Sequence, residues 1–142
     1  MSLLTPEHRF ALRANDLARR AAECDGATAP DPRPVVKLFN PLGAATWLAT
    51  ELAEDDDTLF GLADLGFGCP ELGCFSLAEI ASVTLPFGLR VERDYAFETR
   101  FRLSTWAAMA QRAGSILWAE TILRRMANAP GDELPPSEPG DG

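Results

Sequence analysis

The sequence predicts an α+β fold in which a small antiparallel sheet packs against an N-terminal helix, a short middle helix and C-terminal helices. Three observations predict this class. A capped helical pattern opens the chain, alternating side chains around an acidic turn indicate a β-hairpin, and two further capped helical patterns follow. The 142 residues, of which 46% are hydrophobic and 24% charged, are enough for one ordinary globular core.

The first element is a helix with clear ends. Thr5 suits the N-cap, and Pro6 suits the first helical position because its missing N–H would be unpaired there. We expect the helix to end at Asp25-Gly26, since glycine accepts the left-handed conformation that follows a last turn. Between these ends the apolar residues recur at helical spacing and form one stripe, made of Phe10, Ala14, Leu17, Ala18 and Ala21.

The sheet is expected to begin in segment 34–40, PVVKLFN, a buried strand from which Lys37 reaches outward. Segment 44–57, AATWLATELAEDDD, is ambiguous, because its apolar residues also form a fair helical stripe. Trp47 and its threonine neighbours favour a strand. We therefore predict a hairpin that turns at the solvated acidic run 54–57 and enters a second strand, TLFGLADLG.

The elements after the hairpin are signalled mainly by glycine, proline and serine. The glycines and proline of segment 66–73 predict a tight irregular loop, and the capping box Ser76–Glu79 predicts a short helix. LPFGLRVERD is expected to be a strand, and the alternating segment 95–103 is either a further strand or an ordered loop. Ser104 can cap a helix that Gly114-Ser115 separates from a last helical pattern.

The same patterns predict the domain organisation. One α+β domain is expected over residues 1–127, followed by an acidic Pro- and Gly-rich tail at 128–142. We expect this tail to be disordered, because it has little apolar surface to bury.

Charge and apolar run length exclude several classes of partner. The net charge is −8, and the nearest basic cluster, Arg90 to Arg102, is interrupted by acidic residues. Nucleic acid is therefore an unfavourable partner, because phosphate binding depends on clustered cations. No run approaches the roughly 18 apolar residues of a membrane span, so no membrane association is predicted.

Cysteine and histidine usage bounds compartment and chemistry. Cys24, Cys69 and Cys74 are odd in number and widely spread, and they follow no secretory signal, so we expect reduced thiols in a cytoplasmic protein. The single histidine, His8, argues against catalysis by a histidine base and leaves any zinc site short of ligands. No metal and no cofactor is predicted.

Five stretches in order resemble a known family: LLTPEHRFALRAN, PVVKLFNPLGAATWLATEL, DTLFGLADLGFGCPELGCFSLAEI, LRVERDYAF and LSTWAAMAQRAGSI. Over residues 3 to 116 the chain is similar to the domain of unknown function 2958 family. The resemblance implies a small protein encoded on bacterial plasmids and other mobile DNA. It supplies no activity, cofactor or catalytic residue, and the part from Leu117 onward looks like an extension.

The candidate site lies where the second hairpin strand ends. Asp64 closes an apolar strand, and Cys69, Pro70 and Glu71 follow in the Gly/Pro segment. Loops of this kind, held by a rigid sheet, are where sites usually lie. These four residues are therefore the predicted binding residues, and no catalytic or metal-binding residue is assigned.

Two functional hypotheses remain open at this stage. The leading one is a non-enzymatic accessory protein of a mobile element that binds a protein partner, such as a host-defence component, with homo-oligomerisation left open. The alternative is a small enzyme in which Asp64 and Glu71 divide acid and base roles, or in which Cys69 is a nucleophile whose base the sequence does not identify.

Overall fold

A computed structural model describes residues 2–128, in which five antiparallel strands are arranged in the order β4-β3-β2-β1-β5. The helices are α1 (Pro6–Cys24), α2 (Leu77–Ser82), α3 (Leu103–Ala113) and α4 (Ile116–Asn128). The strands are β1 (Val36–Phe39), β2 (Thr46–Leu52), β3 (Thr58–Asp64), β4 (Glu71–Ser76) and β5 (Glu92–Arg93). This architecture confirms the predicted α+β class.

Each face of the sheet is covered by a different pair of helices. The face toward α1 and α2, which we call the α1 face, packs Leu12, Val36, Leu38, Ala49, Leu52, Leu59, Leu77 and Ile80. The opposite face, the α4 face, packs Leu48 and Leu62 against Leu103, Trp106, Ala110, Ile116, Ala119 and Leu123. Alternating strand residues therefore supply two separate apolar layers.

The predicted hairpin is present as β2 and β3, which pair from Thr46–Asp64 to Leu52–Leu59. The register shifts between Ala49 and Glu51, which marks a β-bulge. A Cβ on Gly61 would lie 1.8 Å from the carbonyl oxygen of Leu48, so only glycine fits opposite this irregular stretch.

Side chains of α1 form hydrogen bonds to the backbone of β2 near the bulge. Around it, the carbonyl oxygens of Thr50 and Leu52 accept hydrogen bonds from the side chains of Asn15 (2.9 Å) and Arg13 (2.7 Å). Buried acceptors need such partners. The side of the helix that packs onto the sheet therefore carries the buried Asp16, only 2% exposed, together with Leu12. The apolar stripe points to solvent instead, and Phe10 is 79% exposed.

The prediction that Lys37 reaches outward is wrong. Its side chain lies under α4, and its Nζ atom is 2.8 Å from Oε1 of Glu120 and 3.5 Å from Oδ2 of Asp94. Both faces of β1 are covered, and these carboxylates supply the pairing that a buried ammonium requires.

Several boundaries differ from those predicted; α3 begins at Leu103, so Ser104 lies inside this helix and does not cap it. The expected loop at 66–73 ends early, because β4 begins at Glu71. The expected strand LPFGLRVERD contains only β5, because Pro86–Gly88 forms a 3₁₀ turn in which Phe87 has a φ of 64°. Segment 95–103 adds no strand to the sheet, so its loop alternative applies. Asn128, assigned to the tail, is the last residue of α4, and the rest of the predicted tail lies outside the described residues.

Candidate functional site

A groove of about 630 Å³ opens on the α1 face of the sheet, beside the edge strand β4. Its floor contains Trp47, Ala63, Gly73 and Phe75, which the strand register places on one side of the sheet. One wall is the loop after β3, with Leu65, Phe67 and Cys69. The other is formed by Glu79 and Ile80 of α2 and by Val83, the residue that follows it.

The groove is unusually apolar for a solvent-facing surface. Phe67 is 83% exposed and Leu65 is 57% exposed, while Val83 is 42% exposed. A contiguous exposed patch of this kind marks a site of interaction more often than an ordinary surface. The groove is therefore the candidate functional site.

The backbone of β4 adds a second feature to this surface. β4 pairs with β3 on one side and is the outermost strand on the other. An edge strand presents backbone N–H and C=O groups that another extended chain can pair with. At Gly73, the space where a Cβ would be is open, so the floor of the groove is uncovered there.

The charge of the groove has one sign. Its two ionisable carboxyl side chains, Glu71 and Glu79, are both exposed, and no lysine, arginine or histidine lines it within the described part of the chain. A basic or neutral segment would therefore suit this groove better than an acidic one.

Two of the predicted site residues come together in the groove. Cys69 is exposed, and its Sγ atom lies 3.7 Å from the carbonyl oxygen of Phe67. Glu71 is exposed at the first position of β4 rather than in a loop. Pro70, between them, is buried, so its role is to fix the backbone that leads into the edge strand.

Asp64 does not join these residues. Its side chain is fully buried on the α4 face, where Oδ1 accepts from the backbone of Gly66 (2.8 Å) and Oδ2 from that of Ile116 (2.9 Å). Glu71 pairs with Ala63, the neighbour of Asp64, so the two carboxylates lie on opposite faces of the sheet. Asp64 and Glu71 therefore cannot act on one substrate atom in this arrangement.

Within residues 2–128, no three histidine, cysteine, aspartate or glutamate side chains are grouped so that they could hold a metal ion. Over the same range, no helix combines the length and apolarity needed to cross a membrane.

Leu65, Phe67 and Val83 are the groove residues that the sequence argument missed. The available signal was the pair of large apolar residues within a Gly-rich stretch, where neither helical nor strand periodicity assigns them to a core. Large apolar residues that do not belong to the apolar face of a predicted helix or strand are candidates for a contact surface.

The comparisons with known proteins give a family and nothing more specific. A family model described as "Protein of unknown function (DUF2958)" matches residues 3–117. Neither the curated proteins nor the solved structures contain a match. The matched region contains the whole groove but ends near the start of α4, although Ala119 and Leu123 of that helix belong to the α4-face core.

Proposed function

This chain belongs to the DUF2958 family of proteins of unknown function, and we propose that it is a non-enzymatic accessory protein that binds an extended segment of a protein partner along β4. The observation that carries the proposal is the coincidence of two features. The exposed apolar groove lies beside the outer edge of β4, which pairs with no other strand within residues 2–128.

The proposed mode is strand addition. The partner segment pairs its backbone with the outer edge of β4, which supplies affinity with little sequence preference. Its alternate side chains enter the groove and pack on Trp47, Phe67 and Val83, which supply the preference for apolar residues. Glu71 and Glu79 favour a lysine or arginine in the same segment.

The biological setting of this proposal comes from the family resemblance. We place the protein in the bacterial cytoplasm as the product of a mobile element, with a host-defence component as the class of partner. The three cysteines are consistent with a reducing compartment, since all three are free thiols.

The test compares capture of partners by wild-type protein with capture by two groove variants, Phe67→Ser and Val83→Asp. Leu42→Ser is the matched control, because Leu42 is also about half exposed but does not line the groove. We expect a partner captured from host lysate by the wild type and the control to be lost from both groove variants. Capture of the same proteins by all four proteins would overturn the proposal.

A second measurement tests the binding mode on a defined probe. A synthetic peptide covering the captured partner's contact segment is titrated into the protein, and amide exchange is followed in β4. Strand addition predicts that exchange slows at outward-facing amides of β4 and that Phe67→Ser weakens binding by about tenfold, or about 1.4 kcal/mol. Unchanged exchange in β4 would contradict strand addition.

A further inference from the structure

Helix α1 carries a second apolar surface that the groove does not use. The side chains of Phe10, Ala14, Leu17, Ala21 and Cys24 form this surface, which we call the α1 seam; all five are exposed. Phe10 is 79% and Leu17 is 56% exposed, whereas the buried side of the same helix holds Leu12 and Asp16. The polar network at the β2 bulge holds α1 in this orientation.

The α1 seam has the spacing of a coiled-coil contact. Phe10, Leu17 and Cys24 recur every seven residues, and Ala14 and Ala21 fill the alternate positions four residues after Phe10 and Leu17. This is the pattern of the a and d positions of a heptad repeat, with two small residues that let a second helix approach closely.

The charges beside the α1 seam select one kind of partner helix. Arg13 and Arg20 lie along one edge, while Ala18 and Asp25 lie along the other. In a parallel helix pair, residues on the first edge meet residues five positions later on the second edge of the other helix. Arg20 then faces the partner's Asp25, and Arg13 faces an alanine.

An antiparallel pair of the same helices would be unfavourable. It would bring the two arginine edges together, so that Arg13 of one copy would face Arg20 of the other. Arg20 is suited to the parallel contact because its side chain is 48% exposed and only its Nε atom is used in the ion pair with Asp16. A guanidinium has five N–H donors and can serve a second carboxylate.

We propose that the α1 seam binds the α1 seam of a second copy of this chain, as a parallel pair around a two-fold axis that runs along the helices. Such an interface uses the same residues on both copies, as a closed dimer requires. None of the residues of the α1 seam lines the groove beside β4.

The proposed contact is small, so we expect weak association. α1 has 19 residues and is about 28 Å long. A seam about 10 Å wide gives roughly 300 Å² per copy, below the roughly 800 Å² per partner of a standard stable interface. The dimer is therefore expected to be populated only at high protein concentration.

The first experiment is sedimentation equilibrium of the whole chain from about 5 to about 200 µM. We expect the wild-type mass to rise toward that of a dimer, and Leu17→Glu to weaken association at least about tenfold. Leu42→Glu is the control, since it adds the same charge at a leucine of similar exposure outside the seam. A monomer at all concentrations, or a dimer indifferent to Leu17→Glu, would overturn the proposal.

The second experiment tests the orientation through Cys24. In a chain with Cys69→Ser and Cys74→Ser, diamide oxidises paired thiols to a disulfide, and the two protons and two electrons pass to the diamide. The parallel pair places the Cys24 side chains of both copies together, so we expect rapid covalent dimer formation that Leu17→Glu suppresses. Two results would contradict the parallel pair. One is disulfide formation in Leu17→Glu at the same rate as with the unchanged seam, and the other is no disulfide at concentrations where the dimer is populated.

Discussion

The Oδ2 atom of Asp64, the last residue of β3, accepts a 2.9 Å hydrogen bond from the backbone nitrogen of Ile116, the first residue of α4. The carboxylate satisfies a backbone donor that the helix itself leaves unpaired, and its negative charge lies at the positive end of the helix dipole. Asp64 therefore attaches the start of the C-terminal helix to the end of β3.

Replacing Asp64 with alanine should lower the free energy of unfolding, because two backbone donors lose their acceptor. The change leaves the buried backbone N–H of Ile116 without its acceptor, and we expect a loss of about 2–3 kcal/mol in the free energy of unfolding. Urea denaturation measures this. The control is Glu71→Ala, an exposed change expected to stay within about 0.5 kcal/mol. Equal losses for the two variants would contradict the structural role of Asp64.

Much of the fold could be predicted from local signals in the chain. Thr5 and Ser76 do cap α1 and α2, and the hairpin preferred over a helix at residues 46–52 is present as β2 and β3. These features depend on a few adjacent residues, so the sequence contains them directly.

The environments of Lys37 and α1 could not be predicted in the same way. The burial of Lys37 depends on its hydrogen bond to Glu120, which is 83 residues away in the sequence. The two side chains lie together only once α4 has packed on the sheet. The buried side of α1 carries Asn15 and Arg13, which donate to backbone carbonyls of β2 that are more than 30 residues away in the sequence. An apolar stripe normally predicts the buried side of a helix. Here the backbone carbonyls of β2 require hydrogen-bond donors, and the side of α1 that supplies them is the one that faces the sheet.

Only part of the candidate site could be predicted. Cys69 and Glu71 share the groove because they are close in sequence and lead into the same strand. Whether Asp64 joins them depends on the register between β3 and β4, since one step along a strand reverses the face. This register could not be predicted from the sequence, because the segment that forms the first part of β4 was predicted to be a loop.

The buried carboxylate of Asp16 should contribute more to the free energy of unfolding than the exposed carboxylate of Glu23, although both bind Arg19. Asp16 accepts hydrogen bonds from Arg13, Arg19 and Arg20, and it is 2% exposed. We expect Asp16→Asn to cost about 2 kcal/mol, because three guanidinium groups lose their shared carboxylate. The matched control is Glu23→Gln, whose exposed pair with Arg19 should be worth about 0.3–0.5 kcal/mol. Similar losses of unfolding free energy in chemical denaturation would contradict the network.

The turn between β2 and β3 contains Asp55, a carboxyl group whose pKa can be measured directly. Hydrogen bonds from the side chain and backbone of Thr58, and from the backbone of Asp57, lower the pKa of Asp55 from 3.8 to about 2. Thr58→Val removes the hydroxyl donor and keeps the side-chain shape, so the pKa of Asp55 should rise toward its ordinary value. Carboxyl chemical shifts measured across an acid titration report it. An unchanged pKa would show that the backbone donors alone are responsible.

The stability of the N-terminal helix should depend on pH through its capping box. The backbone N–H of His8 donates to Oγ1 of Thr5 (3.0 Å), and Nδ1 of His8 accepts from the backbone of Thr5 (3.2 Å). Nδ1 accepts only when it carries no proton. Burial and then the nearby charge of Arg93 lower the pKa of His8 below 6.5, with Glu7 acting in the opposite direction.

The sign of the effect follows from proton binding in the two states. The folded protein binds the His8 proton more weakly than the unfolded chain, so this stabilisation is complete above about pH 6.5 and is lost as the pH falls through 6.5 and then through the lower folded pKa. Melting temperatures between about pH 7 and about pH 5 measure the loss. His8→Gln keeps an acceptor that does not titrate, so it should flatten the profile. If the melting temperature depends on pH in the same way in the wild type and in His8→Gln, the proposed role of this histidine is wrong.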